Sequence, residues 1–184
     1  FIAYRERSSE REFSTQIPDR KVRVVASGDS FTFGFGVSGK NAWPSLLTAH
    51  NSAIETVNMG QGGYGIDQMY LWYLRDGIRL EHDIHVFAFI GNDFERMLHD
   101  NLEGYAKPFL KHERGSLVTC NTPVPRASYL LGWATRNREA VSRLATARLR
   151  ARLTGKENGG AVDVGNKEQL VETVFASLSG VARA

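Results

Sequence analysis

The sequence contains almost no cysteine and lacks long hydrophobic runs. Cys120 is the single cysteine in 184 residues. This excludes a disulfide within the chain and any cysteine-rich zinc site that the chain could build alone. A lone cysteine of this kind is more often a small buried hydrophobic residue than a catalytic thiol. No stretch approaches the roughly 20 apolar residues that a membrane-spanning helix needs.

The sequence also lacks a strong excess of either charge. It has 23 basic and 20 acidic residues, for a formal net charge of +3. This excess is too small to indicate a nucleic-acid or anionic-lipid partner. The first residues lack the basic-then-apolar order of a signal peptide. The sequence is therefore compatible with more than one cellular compartment. The protein is cytoplasmic, or it is periplasmic or membrane-anchored if an N-terminal targeting segment is missing.

Three short apolar runs, rich in β-branched residues, predict strands at 22–26, 54–59 and 84–90. The third run is nearly continuous, which is typical of a central strand buried on both faces. Helical spacing of apolar residues predicts helices at 43–49 and 66–80, and 93–101 is predicted as a helical turn or two. The alternation of strand and helix favours an α/β domain with a parallel sheet.

The second half of the chain has a different character. An irregular excursion at 102–122, with a small strand pair around 117–120, begins a predicted insertion at about 102–166. A helix at 127–153 carries arginines whose face is interpreted as solvated, although an acidic partner or a membrane surface is an alternative. An amphipathic helix is predicted at 167–184. The arginines are Arg136, Arg138, Arg143, Arg148, Arg150 and Arg152.

The residues 1–184 are predicted to form a single domain. A parallel sheet of three strands leaves an exposed edge, which fits poorly with burial on both faces. We therefore expect that the domain continues beyond residue 184, or that another chain completes it.

Polar and glycine residues follow each of the three predicted strands. In open α/β sheets, ligands bind at the carboxyl ends of the strands, so we expect these three loops to lie side by side. They offer a hydroxyl from Ser30, a carboxamide from Asn92 and backbone N–H groups of glycines such as Gly60. This set of groups suits attack on an ester and stabilisation of the oxyanion that develops. It predicts no metal or cofactor.

The segments GDSFTFGFGV, NMGQGGYG and IGND resemble the first three signature blocks of the SGNH, or GDSL-type, serine hydrolases. The resemblance covers roughly residues 22–100. It implies a flavodoxin-like three-layer α/β/α sandwich, the SGNH hydrolase fold, which would be incomplete in this chain. It also implies that Ser30 is the nucleophile. The oxyanion would be held by the backbone N–H groups of Ser30 and Gly60 and by the Asn92 side chain.

Two features depart from the family pattern. The third block usually reads G-x-N-D, but here Gly91 directly precedes Asn92. The fourth element, a D-x-x-H motif that supplies the general base and its orienting acid, has no match in the sequence. His82 and His85 are predicted at the opposite edge of the sheet from Ser30. The chain is therefore expected to be inactive alone, with its base in sequence not shown. His50 is expected at the same far edge, whereas His99 and His112 lie nearer the inserted region and are the remaining candidate bases in the chain, although neither has an Asp three residues before it.

The spacing Gly60-x-Gly62-x-x-Gly65 also fits a dinucleotide-binding turn. That site needs an acidic residue at the end of the next strand, about 20 residues on. Glu81 and Asp83 instead precede the next predicted strand. The glycines are therefore better explained by close backbone approach and by positive φ angles.

The sequence as a whole predicts a serine-dependent hydrolase of carboxylic esters. The alternatives are a binding module that has kept the fold and lost the base, or a nucleotide-binding protein. Short acyl esters, lipids and acylated carbohydrates are all compatible substrates. Oligomeric state is not indicated. Asp29 is assigned a structural loop role, and Phe31, Phe33 and Phe35 are assigned either to an acyl pocket or to core packing.

Overall fold

The computed structural model describes residues 4–7, 11–102, 105–124 and 162–181. Two compact units make up the chain: Phe1–Arg96 with Val174–Ala184, and Met97–Thr173. Within the described ranges, no helix is long and apolar enough to cross a membrane. The same residues contain no group of three or more His, Cys, Asp or Glu side chains that could hold a metal ion.

The first unit is built on a three-stranded parallel sheet. It is preceded by a short antiparallel pair, β1 (Tyr4–Arg5) with β2 (Glu12–Phe13), which the sequence did not predict. The sheet strands are β3 (Val22–Gly28), β4 (Ile54–Gly60) and β5 (Ile84–Phe87), in the order β4-β3-β5. The three predicted strands and their parallel direction are confirmed.

The described residues contain five α-helices. They are α1 (Ser30–Phe33), α2 (Trp43–His50), α3 (Ile66–Arg75), α4 (Gly91–Arg96) and α5 (Lys167–Val181). The predictions of α2 and α5 are confirmed. Helix α3 ends five residues earlier than predicted, and a 3-10 turn at Gly77–Arg79 follows it. A Cβ at Gly77 would lie 2.5 Å from the Tyr73 ring, so this turn packs closely against the helix.

Helices cover both faces of the sheet. Thr56 lies opposite Val24 in the register and His85 lies opposite Val25, so these two side chains point to opposite faces. On the first face, the Thr48 hydroxyl of α2 donates a hydrogen bond to the Thr56 hydroxyl at 3.3 Å. On the second face, the Tyr73 ring of α3 stacks on His85 at 3.7 Å. The three-layer α/β/α arrangement is therefore present in the first unit.

The prediction that the third strand is central and buried on both faces is wrong for the described residues. Strand β5 ends at Phe87 and lies at the edge of the sheet, whereas β3 is central. Ile84 is 48% exposed and Phe89 is 42% exposed. The apolar run is explained by an aromatic cluster: Phe175 of α5 lies 5.9 Å from Phe87 and 5.5 Å from Phe89.

Arg23 occupies a fully buried position within the apolar β3 strand. Its Nε lies 2.6 Å from a carboxylate oxygen of Glu55 on the neighbouring strand. Its Nη1 and Nη2 groups donate to backbone carbonyls of the segment before β3 and of Glu81. The Arg23 N–H donates to the Asp83 carboxylate at 2.8 Å. The guanidinium therefore joins three segments at the amino-terminal edge of the sheet.

The second unit contains two antiparallel hairpins. They are β6 (Asn101–Leu102) with β7 (Tyr105–Ala106), and β8 (Phe109–Glu113) with β9 (Ser116–Cys120). The small strand pair predicted around 117–120 is confirmed as β8 with β9, although it begins earlier, at Phe109. The excursion at 102–122 is more regular than predicted, because β8 pairs with β9 along its whole length. Cys120 is only partly buried, contrary to expectation. The predicted helix at 127–153, with its arginines, lies outside the described residues.

Candidate active site

The three loops predicted to converge do begin at one edge of the sheet. Gly28 lies opposite Gly60 in the register, and Ser27 lies opposite Phe87. Beyond the strands, the Gln61 N–H donates to the Gly28 carbonyl at 3.0 Å, and the Ala88 N–H donates to the Ser27 carbonyl at 2.9 Å. The segments that follow β4 and β5 are therefore both hydrogen-bonded to the end of β3.

Ser30 is the first residue of α1, directly after β3. Asp29 caps this helix, since its Oδ1 accepts a hydrogen bond from the Phe31 N–H at 2.9 Å. The structural role predicted for Asp29 is confirmed. Ser30 is half-buried, and its hydroxyl has no hydrogen-bond partner among the described residues. This hydroxyl lies at the N-terminus of α1, where the first backbone N–H groups of a helix lack intrahelical acceptors.

Two glycines allow α1 to lie close over the strand ends. A Cβ at Gly60 would overlap the backbone nitrogen of Phe33, and a Cβ at Gly28 would overlap the Thr32 side chain. Alanine would need α1 to shift at either position. The glycines that the sequence singled out at Gly28 and Gly60 are thus explained by close backbone approach.

The side-chain carboxamide of Asn58 also joins α1 to the end of β4. The sequence analysis assigned no role to this residue. Its Nδ2 donates to the Thr32 carbonyl of α1 at 2.8 Å. Its Oδ1 accepts a hydrogen bond from the Gly60 N–H at 2.8 Å. The N–H predicted to face an oxyanion is therefore engaged with Asn58 in this structure. A buried asparagine at the start of a glycine-rich loop was the available signal, because its amide must find partners.

Further along this loop, two glycine amides have no such engagement. Within the described part of the chain, the N–H groups of Gly62 and Gly63 have no hydrogen-bond acceptor. Gly63 has a φ angle of +79°, which favours glycine. Gly65 is the N-cap of α3. The loop therefore presents unused donors near the end of β4.

Asn92 lies in the first turn of α4, directly after β5, and its side chain is exposed. Its neighbour Asp93 closes this turn twice. The Asp93 N–H donates to the Ile90 carbonyl at 3.0 Å, and the Ile90 N–H donates to Asp93 Oδ2 at 2.9 Å. The structure thus places Asn92 at the same sheet edge as Ser30, in a turn with a fixed backbone.

Buried charges lie beneath these loops. Asp29 and Asp93 are both almost fully buried, and Arg96 Nη1 lies 3.9 Å from Asp29 Oδ2 and 2.6 Å from Asp93 Oδ1. Burial raises the pKa of Asp93, and the negative charge of Asp29 raises it further, while the Ile90 hydrogen bond and Arg96 lower it. The sequence analysis did not identify Arg96, because nothing in its local pattern distinguishes it from a surface arginine.

His82 and His85, in the first unit, form hydrogen bonds with residues other than Ser30. His85 Nε2 is hydrogen-bonded to the Ser27 hydroxyl at 2.9 Å, and His82 Nε2 is hydrogen-bonded to the Tyr73 hydroxyl at 2.9 Å. Burial, together with the charge of His82, lowers the pKa of His85 from 6.5 to about 4. Within the described residues neither imidazole contacts Ser30. Both serve as packing and hydrogen-bonding groups between α3 and the sheet.

The aromatic residues after Ser30 are largely solvent-exposed. Phe31 is 69% exposed and Phe35 is 80% exposed, while Phe33 is half-buried. Core packing, one of the two roles considered, does not apply to Phe31 and Phe35. Their rings lie in the stretch that follows Ser30 directly.

The acids required for a dinucleotide site lie at the wrong edge of the sheet. The Asp83 carboxylate accepts a hydrogen bond from the Arg23 N–H, and the Glu81 carbonyl accepts one from the Arg23 guanidinium. Both acidic residues therefore belong to the amino-terminal edge, as predicted. The Gly60-x-Gly62-x-x-Gly65 loop lies at the opposite edge.

Comparison with solved structures finds proteins described as SGNH-hydrolase or G-D-S-L family members. AlinE4, an SGNH-hydrolase family esterase, is 21% identical with a TM-score of 0.37, over 44% of this chain and 46% of AlinE4. A protein of the G-D-S-L family from Desulfitobacterium hafniense DCB-2, described as lipolytic, is 16% identical with a TM-score of 0.36. That match covers 88% of this chain and 99% of the other. No protein-family model and no curated protein matches the sequence.

The matched part of this chain spans less than half the length of AlinE4.

Proposed function

We propose that the chain is part of a serine hydrolase of the SGNH type that cleaves carboxylic esters. The observation that carries this proposal is the shared sheet edge: the loops bearing Ser30, the glycine donors and Asn92 follow three hydrogen-bonded parallel strands. The unpartnered Ser30 hydroxyl at the start of α1 supports its role as the nucleophile.

In the proposed reaction, the Ser30 oxygen attacks the ester carbonyl carbon and its proton passes to a general base. The carbonyl oxygen becomes an oxyanion that accepts hydrogen bonds from the Ser30 N–H, the Asn92 side chain and the glycine loop. The bond to the alcohol oxygen then breaks, and the alcohol leaves with the proton from the base. Water attacks the resulting acyl-enzyme, so that the acid is released and the Ser30 hydroxyl is restored.

The glycine-loop donor assigned from the family pattern is Gly60. Because its N–H donates to Asn58 Oδ1, it would be shared between Asn58 and the oxyanion. The unengaged N–H groups of Gly62 and Gly63 supply two more donors in the same loop.

The general base is proposed to come from outside these 184 residues. The sequence contains no D-x-x-H motif. In the described first unit, His85 is bonded to Ser27 and His82 to Tyr73. The 184-residue chain alone is accordingly expected to hydrolyse no p-nitrophenyl acetate, and a longer polypeptide that supplies an Asp-x-x-His segment is expected to hydrolyse it.

The nucleophile assignment is tested in that longer polypeptide with a fluorophosphonate probe and p-nitrophenyl acetate. Ser30→Ala is expected to abolish both labelling and hydrolysis. Asn92→Ala is expected to lower turnover by about 100- to 1,000-fold, because it removes one oxyanion donor. Ser38→Ala and Asn41→Ala, which change exposed residues of the same types, are expected to leave both readouts unchanged.

A binding module on the same fold is the second candidate, favoured by the engagement of His82 and His85 away from Ser30. A longer polypeptide that never reacts with the probe, yet binds an ester without cleaving it, would establish this second function and exclude the first.

A further inference from the structure

Arg96 contacts all three loops of the proposed site. It lies in the last turn of α4, and its side chain is 25% exposed. Its Nη1 lies 2.6 Å from Asp93 Oδ1, 3.4 Å from the Tyr64 carbonyl and 3.9 Å from Asp29 Oδ2. One guanidinium nitrogen thus reaches the loop after β3, the glycine loop after β4 and the turn after β5.

Each of the two acidic partners of Arg96 is adjacent in sequence to a proposed site residue. Asp29 precedes Ser30 and fixes the start of α1 through its Oδ1 atom. Asp93 follows Asn92 and closes the turn that holds it through its Oδ2 atom. In both carboxylates, one oxygen holds a backbone N–H and the other faces Arg96. The position of the guanidinium is thereby linked to the backbone of both Ser30 and Asn92.

The charges explain why a cation is needed at this position. Two carboxylates are buried here, and the charge of Asp29 acts unfavourably on Asp93. Asp29 Oδ2 has no hydrogen bond among the described residues, so the guanidinium at 3.9 Å is its counter-charge. A buried carboxylate without a partner is strongly unfavourable. Without Arg96 the two carboxylates would separate or take up a proton, and the loops that they hold would move.

We propose that Arg96 is a positioning residue that sets the relative placement of Ser30 and Asn92 through Asp29 and Asp93, without contacting the substrate. This proposal rests on the proposed function for its kinetic consequence. Its structural consequence, the coupling of the two loops, is independent of any activity.

The kinetic test compares Arg96→Met and Arg96→Lys in the longer polypeptide with p-nitrophenyl acetate as substrate. Arg96→Met is expected to lower kcat by about 10- to 100-fold with little change in KM, because small misplacements of catalytic groups have effects of this size. Arg96→Lys keeps the charge and is expected to recover part of the loss. Arg75→Met, which breaks the exposed pair with Asp76 on α3, is the matched control and is expected to be neutral.

The pH profile separates this role from a loss of stability. Asp29 and Arg96 are the groups whose charges act on Asp93. In Arg96→Met a further fall in kcat, on the acid side of the titration of the proposed histidine base, is expected to begin at higher pH than in the parent protein, since a carboxylate pair without its cation takes up a proton more readily. In Arg96→Lys this further fall is expected to begin near the pH of the parent protein. A raised KM at unchanged kcat would overturn the proposal, because it would show that Arg96 binds substrate.

A measurement without substrate keeps the proposal testable if no hydrolysis is found. In the folded Arg96→Met protein, the backbone amide NMR signals of Ser30 and Asn92 are both expected to shift, and in Arg75→Met neither should. If Arg96→Met does not fold, Asp93→Asn serves instead, because it removes the charge while keeping an acceptor for the Ile90 N–H. Unchanged signals at either residue would overturn the proposal, whereas hydrolysis that survives Ser30→Ala would overturn only the proposed function.

Discussion

Arg23 connects several segments at the amino-terminal edge of the sheet, the edge opposite the proposed site. Its guanidinium is fully buried and bonds to Glu55 and to backbone carbonyls on either side of β3. A buried ion pair contributes little compared with apolar packing, but removing one partner leaves the remaining groups without compensation. The residue is therefore expected to be sensitive to substitution even though it lies far from Ser30.

Arg23→Met is expected to lower the free energy of unfolding by about 3–5 kcal/mol, the usual cost of breaking a buried pair from one side. Urea unfolding followed by circular dichroism measures this difference. Arg79→Met changes an exposed arginine of the same unit and is expected to stay within about 0.5 kcal/mol of the parent. A loss below about 1 kcal/mol for Arg23→Met would show that the buried network does not stabilise the unit.

Residue roles were the least predictable level of this molecule. The positions of Ser30 and Asn92 at one edge of the sheet could be predicted, because both belong to blocks with a recognisable order. Arg23, Asn58 and Arg96 could not, because each role depends on a partner at least 26 positions away. The partners are Glu55, the Thr32 carbonyl and the Tyr64 carbonyl, at separations of 32, 26 and 32 positions. Only the fold brings such partners together.

At the scale of elements, the packing of α1 on β4 is the feature most sensitive to volume. Gly60→Ala is expected to displace α1, because the added Cβ would overlap the Phe33 backbone. It should lower the midpoint of thermal unfolding and slow fluorophosphonate labelling of Ser30. Gly180→Ala in α5 is the matched control, since a Cβ there meets no atom within 4 Å and the residue lies outside the proposed site. Equal effects of the two substitutions would show that close approach at Gly60 does not matter.

The helices and strands could largely be predicted from the sequence, whereas the order of the strands in the sheet could not. Periodicity located all three sheet strands and the helices α2, α3 and α5. It did not distinguish a central strand from an edge strand, because the apolar side chains of β5 are covered by the aromatic ring of Phe175 rather than by a fourth strand. It placed the strand pair of the second unit around 117–120 and did not extend it back to β8, whose sequence Phe109–Glu113 carries a lysine and a histidine and lacks a β-branched residue.

For the whole molecule, His85 links folding to pH. The pKa of His85 is about 4 in the folded state against an ordinary value of 6.5. Between these two pH values, His85 is protonated in the unfolded chain and neutral in the folded chain. The stability of the first unit is therefore expected to be greatest above pH 6.5 and to fall as the pH is lowered towards 4. The part due to His85 is on the order of 2 kcal/mol.

Urea unfolding at several pH values between 4 and 7.5 measures this loss in the parent and in His85→Gln, which keeps a hydrogen-bonding side chain beside Ser27. The loss is expected to be smaller in His85→Gln. Asp93 acts in the opposite sense, because its raised pKa favours the folded state at low pH and this stabilisation is lost as the pH rises above 3.8. Asp93 is common to both proteins, so its effect cancels in the comparison. Parallel curves for the two proteins would exclude His85 as the source.

The open side of β5 ties the assembly of this fold to its chemistry. In the described part of the chain, β5 pairs only with β3, so its outer row of backbone groups is free to accept another strand. A strand that joins in parallel has its carboxyl end at the same edge as Gly28 and Gly60, and the residues after it arrive next to the turn of Asn92. One pairing event would thus both finish the sheet and bring new reactive side chains to the Ser30 hydroxyl, so that the site would form only when the sheet does.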